Sequence, residues 1–254
     1  MKSYSDRSRR KQLGQCFLED QNILKLEAKL ATPANKTVLE IGAGDGRLTN
    51  TLLAEKPKKI IAVELDPKFA TLLREKFSKE KVEVIEADFL ELEPIPPEVD
   101  LVVGNIPYYI SSDIVFKLAK LKKEKAILMV QREFAEKMVA KPGESNYGRL
   151  SVTSQIAFET TLERTVLRHL FRPIPKVDSA IIILKPTGFR ISQFQENIIR
   201  WLFQHKNKTV RNALMDSKMF NKEELEVLGN VLRQRPKTLT KENCLDIAKK
   251  LEKV

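Results

Sequence analysis

Cysteine and histidine are scarce, with two of each in 254 residues. Cys16 and Cys244 make no disulfide framework, so a reducing, cytoplasmic setting is expected. With so few such residues, and none clustered, no metal-ligand set is expected either. No apolar run approaches the length of a membrane span, and the basic N-terminus lacks the apolar core of a signal peptide. Internal repeats and low-complexity tracts are also missing. What remains is a globular chain, 42% apolar and 31% charged, long enough to bury one large domain with a smaller appendage.

Positive charge, by contrast, is abundant and unevenly spread. The formal net charge is +11. Residues 1–11 hold five basic residues and one acidic, and residues 187–254 hold fourteen basic and eight acidic. Residues 12–186 are close to neutral, with twenty-six against twenty-five. A polyanion held by the flanks fits this distribution, and so does an ordinary solvated surface.

Between the flanks the hydrophobic period alternates. After Gln12-Leu13-Gly14-Gln15-Cys16-Phe17-Leu18, the spacing of Ile23, Leu24, Leu26 and Leu30 predicts a helix that Pro33 ends. Strands are predicted at 37–41, 59–63, 82–85, 99–103 and 126–130, with helices between them. Pro67 stands where it opens one of those helices. Such alternation means a parallel, helix-covered sheet. Two β-rich stretches follow, near 155–167 and 177–184, and suit a closing hairpin at the sheet edge. Pro186-Thr187-Gly188 marks a domain boundary, beyond which helices are predicted at 194–204, 208–215, 222–232 and 241–251. The division expected is a flexible basic arm at 1–11, a catalytic domain at 12–186 and a helical domain at 187–254.

The chemistry gathers at strand ends. Gly42-Ala43-Gly44-Asp45-Gly46 follows the first predicted strand and lets backbone approach a ligand closely. Its G-x-G-x-G spacing differs from the G-x-G-x-x-G of pyrophosphate binders. Glu64 ends the second strand, where an acid can take both ribose hydroxyls. Asp88, beside Phe89, ends the third, where it can accept from an adenine amine. Each acid alone is equally a strand-end cap or surface ion pair. In series they favour S-adenosylmethionine, which is cationic and has no pyrophosphate.

Asn105-Ile106-Pro107-Tyr108 follows the strand predicted at 99–103. The Asn105 side-chain oxygen and the Ile106 carbonyl are acceptors for an exocyclic amine; Pro107 stiffens the turn, and Tyr108 offers a face for a base. The alternative is a structural Asx-turn with a packed tyrosine. Phe171, in the proline-rich loop Phe171–Lys176, is either the opposite wall of a base pocket, facing Tyr108, or a buried loop anchor. Tyr147-Gly148-Arg149 is either a substrate contact or a turn. Lys206, Lys208 and Arg211 suit phosphate contacts near a helix start, or form a solvated face.

These motifs, in this order, resemble the KsgA/RsmA family of ribosomal RNA adenine dimethyltransferases in an archaeal or eukaryotic-like form. The resemblance rests on Leu13–Leu18, Glu40–Gly46, Glu64–Asp66, Asn105–Tyr108, Tyr147–Val152 and Phe171–Ala180. It implies a class I Rossmann-like α/β fold with a mostly parallel seven-stranded sheet and a small all-α C-terminal domain. It also implies N6,N6-dimethylation of two adjacent adenosines in the 3′-terminal hairpin of small-subunit rRNA, within the pre-30S subunit, by a monomer that uses no membrane. In that family Cys16, Leu18, Gly42, Glu64, Asp88 and Asn105 correspond to cofactor contacts, to which Gly44 and Phe89 are added here. Bacterial members usually have Asn where Cys16 stands, and a thiol offers only a weak hydrogen bond. Ile106 stands where Leu is common. Two rival readings share the motifs: an enzyme that methylates a single adenosine of large-subunit RNA, and a non-catalytic RNA-binding assembly or transcription factor.

Overall fold

Strand β1 (Phe17–Leu18) opens the part of the chain that the computed structural model describes, residues 16–121 and 123–253. The expectations for the arm at 1–11 and for Leu13-Gly14-Gln15 lie outside these residues. Asp20 then starts the helix Gln21–Ala31 by accepting from the backbone N–H groups of Asn22 and Ile23, each at 2.9 Å. That helix buries Ile23, Leu24, Glu27, Ala28 and Ala31 as one stripe. A single member of the stripe, Glu27, is ionisable.

Five strands follow: β2 (Thr37–Ile41), β3 (Lys59–Glu64), β4 (Val82–Glu86), β5 (Leu101–Asn105) and β6 (Lys125–Gln131). They pair in parallel, in the spatial order β4-β3-β2-β5-β6. Every residue of β2 is buried, as expected where helices cover both faces. The chain winds outward from β2 to β4 and then returns to the other side of β2 with β5. That reversal is a topological switch point, where open α/β sheets hold ligands at the carboxyl ends of their strands. β7 (Phe158–Val166) and β9 (Ser179–Pro186) complete a seven-stranded sheet, β9 lying antiparallel to β6. The short β8 (Phe171–Arg172) pairs with β1, Leu18 opposite Phe171. The fold is the class I Rossmann-like arrangement.

β5 begins two residues later than its apolar pattern predicts. The Val99 N–H donates to the Pro96 carbonyl, and Asp100 exchanges two hydrogen bonds with Thr37, so both residues belong to the approach. The shift makes Asn105 the last residue of the strand. Gly104, just before it, lies so close to β2 that a Cβ there would sit 2.7 Å from the Ile41 carbonyl oxygen.

By packing, the chain divides into two units. One comprises the described residues up to Ala135 and Thr161–Pro186; the other comprises Glu136–Thr160 and the residues from Thr187 onward. The third crossing, after Pro186, coincides with the boundary read from sequence, but residues 136–157 and the first three residues of β7 group with the C-terminal helices. The reason is the helix Arg149–Ala157: its Val152 and Ile156 are buried in one cluster with Leu202, Val210, Leu228 and Ile247. Gln155–Ala157, expected as strand, closes this helix, because Gln155 Nε2 donates to the Met138 and Ala140 carbonyls at 2.8 Å each. In the same unit the helices Gln193–Gln204, Val210–Met215 and Lys241–Leu251 follow expectation. The helix predicted at 222–232 stops at Leu225 and continues as a 3-10 segment, Glu226–Arg233, with a non-helical backbone at Gly229.

Gly104→Ala tests the approach of β5 to β2. The added methyl meets backbone that cannot yield, so urea denaturation is expected to give a loss of about 1–3 kcal/mol. An unchanged midpoint would contradict this packing.

Candidate active site

One cavity lies over the carboxyl ends of β2, β3 and β5, entirely within the sheet-bearing unit. Cys16, Leu18, Gly42, Gly44, Glu64, Asp88, Phe89 and Asn105 all line it, as do Ile106, Pro107, Tyr108 and Phe171. Residues distant in sequence are thus brought to one surface by strand order alone.

The glycine turn is held from both sides. Gly44 has φ +56°, in the left-handed region, and a Cβ there would lie 2.8 Å from Phe17 Cε1. Its N–H donates to Glu64 Oε2 at 2.8 Å, while Glu64 Oε1 accepts from the Asp66 N–H at 2.8 Å. Two backbone donors therefore fix the carboxylate, and each oxygen keeps a second lone pair for a vicinal diol. Burial raises the Glu64 pKa against the opposing pull of those donors. Asp88 Oδ1 accepts from the Leu90 N–H at 2.8 Å, so one oxygen serves the turn. Cys16 is half-buried, and burial pushes its thiol pKa up, which keeps it a weak protonated donor.

Asn105 reaches the cavity from the end of β5. One orientation of its side-chain amide matches donor to acceptor: Nδ2 donates to Glu27 Oε1 at 2.7 Å and to Oε2 at 3.2 Å. Oδ1 is then left as an acceptor. Ile106 is buried and Pro107 has φ −60°, which stiffens the turn. The Tyr108 hydroxyl and Ser179 Oγ share a hydrogen bond of 2.6 Å, which ties the ring to β9. Phe171 lines the same cavity but is buried, with its side chain in the core cluster of Leu18 and Ile181. Its role as an exposed wall facing Tyr108 is thereby narrowed to an edge of the pocket. Tyr109, which sequence reading passed over, also lines the cavity and is 61% exposed.

The remaining candidates lie in the helical unit and are already engaged. Tyr147 is 1% exposed; its hydroxyl donates to the Leu239 carbonyl at 2.6 Å, and its ring meets Phe203 edge-on. It is a core residue there and not a substrate contact. Lys206 Nζ donates to the Ser145 and Tyr147 carbonyls at 3.0 and 2.9 Å. Arg149 pairs with Glu196 at 2.8 Å, Lys208 with Asp216 at 2.7 Å and Arg211 with Glu226 at 2.9 Å. Such exposed pairs contribute little to stability.

Sequence reading gave no role to two buried acids, Glu27 behind the cavity and Glu40 on its wall. Glu27 and Glu40 are 0% and 1% exposed, and burial lifts both carboxyls to about 8. Glu40 Oε2 accepts from Thr49 Oγ1 at 2.7 Å. The signal for Glu27 was a carboxylate on an otherwise apolar helical stripe. Three buried carboxyls around one cavity suit a cationic ligand, and the close-packed glycine turn beside a diol-oriented Glu64 suits a nucleoside; S-adenosylmethionine has both features. Among the described residues no group of His, Cys, Asp and Glu can hold a metal ion, and no helix is long and apolar enough to cross a membrane.

Comparison with known proteins agrees with this geometry. A family model for ribosomal RNA adenine dimethylase matches residues 6–253. A probable ribosomal RNA small subunit methyltransferase A from Methanopyrus kandleri is 41% identical, over 94% of this chain and 87% of its own. The protein of that name from Pyrococcus furiosus is 40% identical, over 90% and 85%. Among solved structures, a dimethyladenosine transferase from Plasmodium falciparum superposes with TM-score 0.82 at 30% identity, covering 93% of this chain and 98% of its own. The 23S rRNA methyltransferase ErmE gives 0.71 at 31%, covering 93% and 99%.

The buried acids set a pH dependence of stability. Unfolded, Glu27 and Glu40 ionise near 4.5; folded, they hold their protons to about 8. Between those values unfolding releases protons, so their contribution falls as pH rises, and the full penalty is present above about 8. Glu40→Gln removes one such titration. Its stability relative to the parent is expected to improve by at least about 1.4 kcal/mol between pH 5 and pH 8. A difference that stays flat or shrinks with pH would contradict the assignment.

Proposed function

The chain belongs to the ribosomal RNA adenine dimethylase family, and from that premise we propose that it dimethylates N6 of two adjacent adenosines in the 3′-terminal hairpin of small-subunit rRNA, within the assembling 30S subunit. The observation that carries the proposal is that Asn105–Tyr108 and the Gly42–Glu64 arrangement open into one cavity. The small-subunit target is supported by the small-subunit methyltransferase relatives, 41% and 40% identical over most of the chain.

When bound, S-adenosylmethionine supplies an electrophilic methyl group on a positively charged sulfur. Glu64 takes the ribose hydroxyls, Asp88 accepts from the cofactor's adenine amine, and Cys16, Leu18, Phe89 and the backbone of Gly42 and Gly44 enclose it. The target adenine stacks on Tyr108, with Phe171 at the pocket edge. Its exocyclic nitrogen is a poor nucleophile because the lone pair is delocalised into the ring. Asn105 Oδ1 and the Ile106 carbonyl accept hydrogen bonds from that amine, turn it toward the methyl group and favour its pyramidal form as attack proceeds. No strong base is needed, since the methylated nitrogen is acidic and sheds its proton afterwards. After one transfer the remaining N–H is presented to Asn105 again. The sheet-bearing unit carries this chemistry, and in the helical unit Arg149, Lys206, Lys208 and Arg211 meet RNA phosphates. The enzyme works as a cytoplasmic monomer.

Labelled S-adenosylmethionine incubated with small subunits that lack the modification, followed by nucleoside mapping, tests the reading. Dimethyladenosine at two adjacent positions near the 3′ end is expected. Transfer only to large-subunit RNA would overturn the target, and binding without transfer would favour an assembly factor. Asn105→Ala is expected to lower kcat by at least about 100-fold while cofactor binding survives in part. Full activity in that variant would sink the role of Asn105.

A further inference from the structure

Glu27 does not line the cavity, yet it is fully buried on the apolar stripe of the helix Gln21–Ala31. The position demands an apolar residue on packing grounds, and a buried carboxyl there costs stability. What it gains is the contact with Asn105: one end of the side-chain amide lies 2.7 and 3.2 Å from the two Glu27 oxygens, and assigning that end as Nδ2 pairs donor with acceptor. An asparagine amide has two nearly isosteric ends, and only Oδ1 can accept a hydrogen bond. Ionised, Glu27 only accepts and therefore selects which end faces it; protonated, it also carries a donor, so the selection is complete in the form that a cationic ligand in the cavity favours. With a carboxylate behind it, Asn105 keeps its nitrogen toward the helix and its oxygen for the cavity. An apolar neighbour would leave both orientations populated.

We infer that Glu27 is a positioning residue for methyl transfer: it holds the Asn105 amide with Oδ1 available to the target amine. This rests on the reading of Asn105 as the acceptor for that amine. The carboxyl touches neither cofactor nor base, and its effect passes wholly through the amide. Glu40 is the second acid that bears on Glu27, and it further disfavours the ionised form. A cationic ligand in the neighbouring cavity favours that form, so a loaded site strengthens the hold on Asn105.

The test compares Glu27→Leu, Glu27→Gln, Asn105→Ala and the Glu27→Leu/Asn105→Ala double variant. Methyl transfer is measured together with cofactor affinity by calorimetry and the side-chain amide resonances of Asn105 by NMR. Glu27→Leu is expected to be at least as stable as the parent but to lose about tenfold or more in kcat. KM for RNA and cofactor affinity should stay within about twofold, since only uniform binding would move them. Glu27→Gln keeps an acceptor but adds a donor, so its kcat should fall between the two. The double variant should be no slower than Asn105→Ala, and the Asn105 amide protons should move upfield in Glu27→Leu. Parental kcat and unshifted resonances in Glu27→Leu would overturn the inference, and in Glu27→Gln would do so alone if the leucine variant fails to fold. Should Asn105→Ala itself retain full activity, the role of Asn105 fails, whatever Glu27 does.

Discussion

β5 lies against β2 where the order of the parallel strands reverses, with Val38, Leu39 and Glu40 opposite Leu101, Val102 and Val103. That pairing brings the two motif-bearing strand ends together. β2 delivers the glycine turn and Glu40, and β5 delivers Asn105. Gly104 permits the close approach, and even the Gly42 position is only 4.0 Å from the Asn105 carbonyl, measured from an added Cβ. β3 then sets Glu64 under the turn, where it meets the Gly44 N–H. The glycine turn, Glu64 and Asn105–Tyr108 therefore share one cavity because of strand order.

The same cavity concentrates electrostatic cost. Glu27, Glu40 and Glu64 are all buried, and burial raises the pKa of each. Such groups weaken the fold unless a partner compensates, and sites that do chemistry commonly tolerate that weakness. Here the compensation comes from fixed dipoles: two backbone N–H groups on Glu64, the Thr49 hydroxyl on Glu40 and the Asn105 amide on Glu27. Dipoles fixed in advance need not reorganise when charge moves, which is the physical basis of preorganised catalysis. A positively charged cofactor adds the attraction that the empty set of acids lacks.

Much of this was legible in the sequence, for identifiable reasons. The five parallel strands are apolar and β-branched, and Pro33, Pro67 and the glycine turn punctuate the chain in ways that depend only on local chemistry. Glu64 and Asp88 were readable because a strand end has a known direction. Side-chain partnerships made across the fold were not readable. Tyr147 next to a glycine resembles a loop contact, yet its hydroxyl partner, Leu239, is 92 residues away and makes it core. Lys206, Lys208 and Arg211 resemble free cations until the Ser145 and Tyr147 carbonyls, Asp216 and Glu226 are brought beside them. The boundary signal at Pro186 places residues 136–157 with the sheet-bearing domain, and only the packing of Val152 and Ile156 assigns them to the helical unit. Glu27 was visible as a misfit on an apolar stripe, but its meaning depended on Asn105.

The central claim is that the end of β5 grips the target amine through Asn105 Oδ1 and the Ile106 carbonyl. The most direct test is a crystal structure of the protein with S-adenosylhomocysteine and an adenosine-containing oligonucleotide from the small-subunit 3′ hairpin. The account predicts the adenine N6 within about 3 Å of both oxygens, with the ring against Tyr108. An ordered adenine in the cavity whose N6 meets neither oxygen, or meets Asn105 Nδ2 instead, would contradict it.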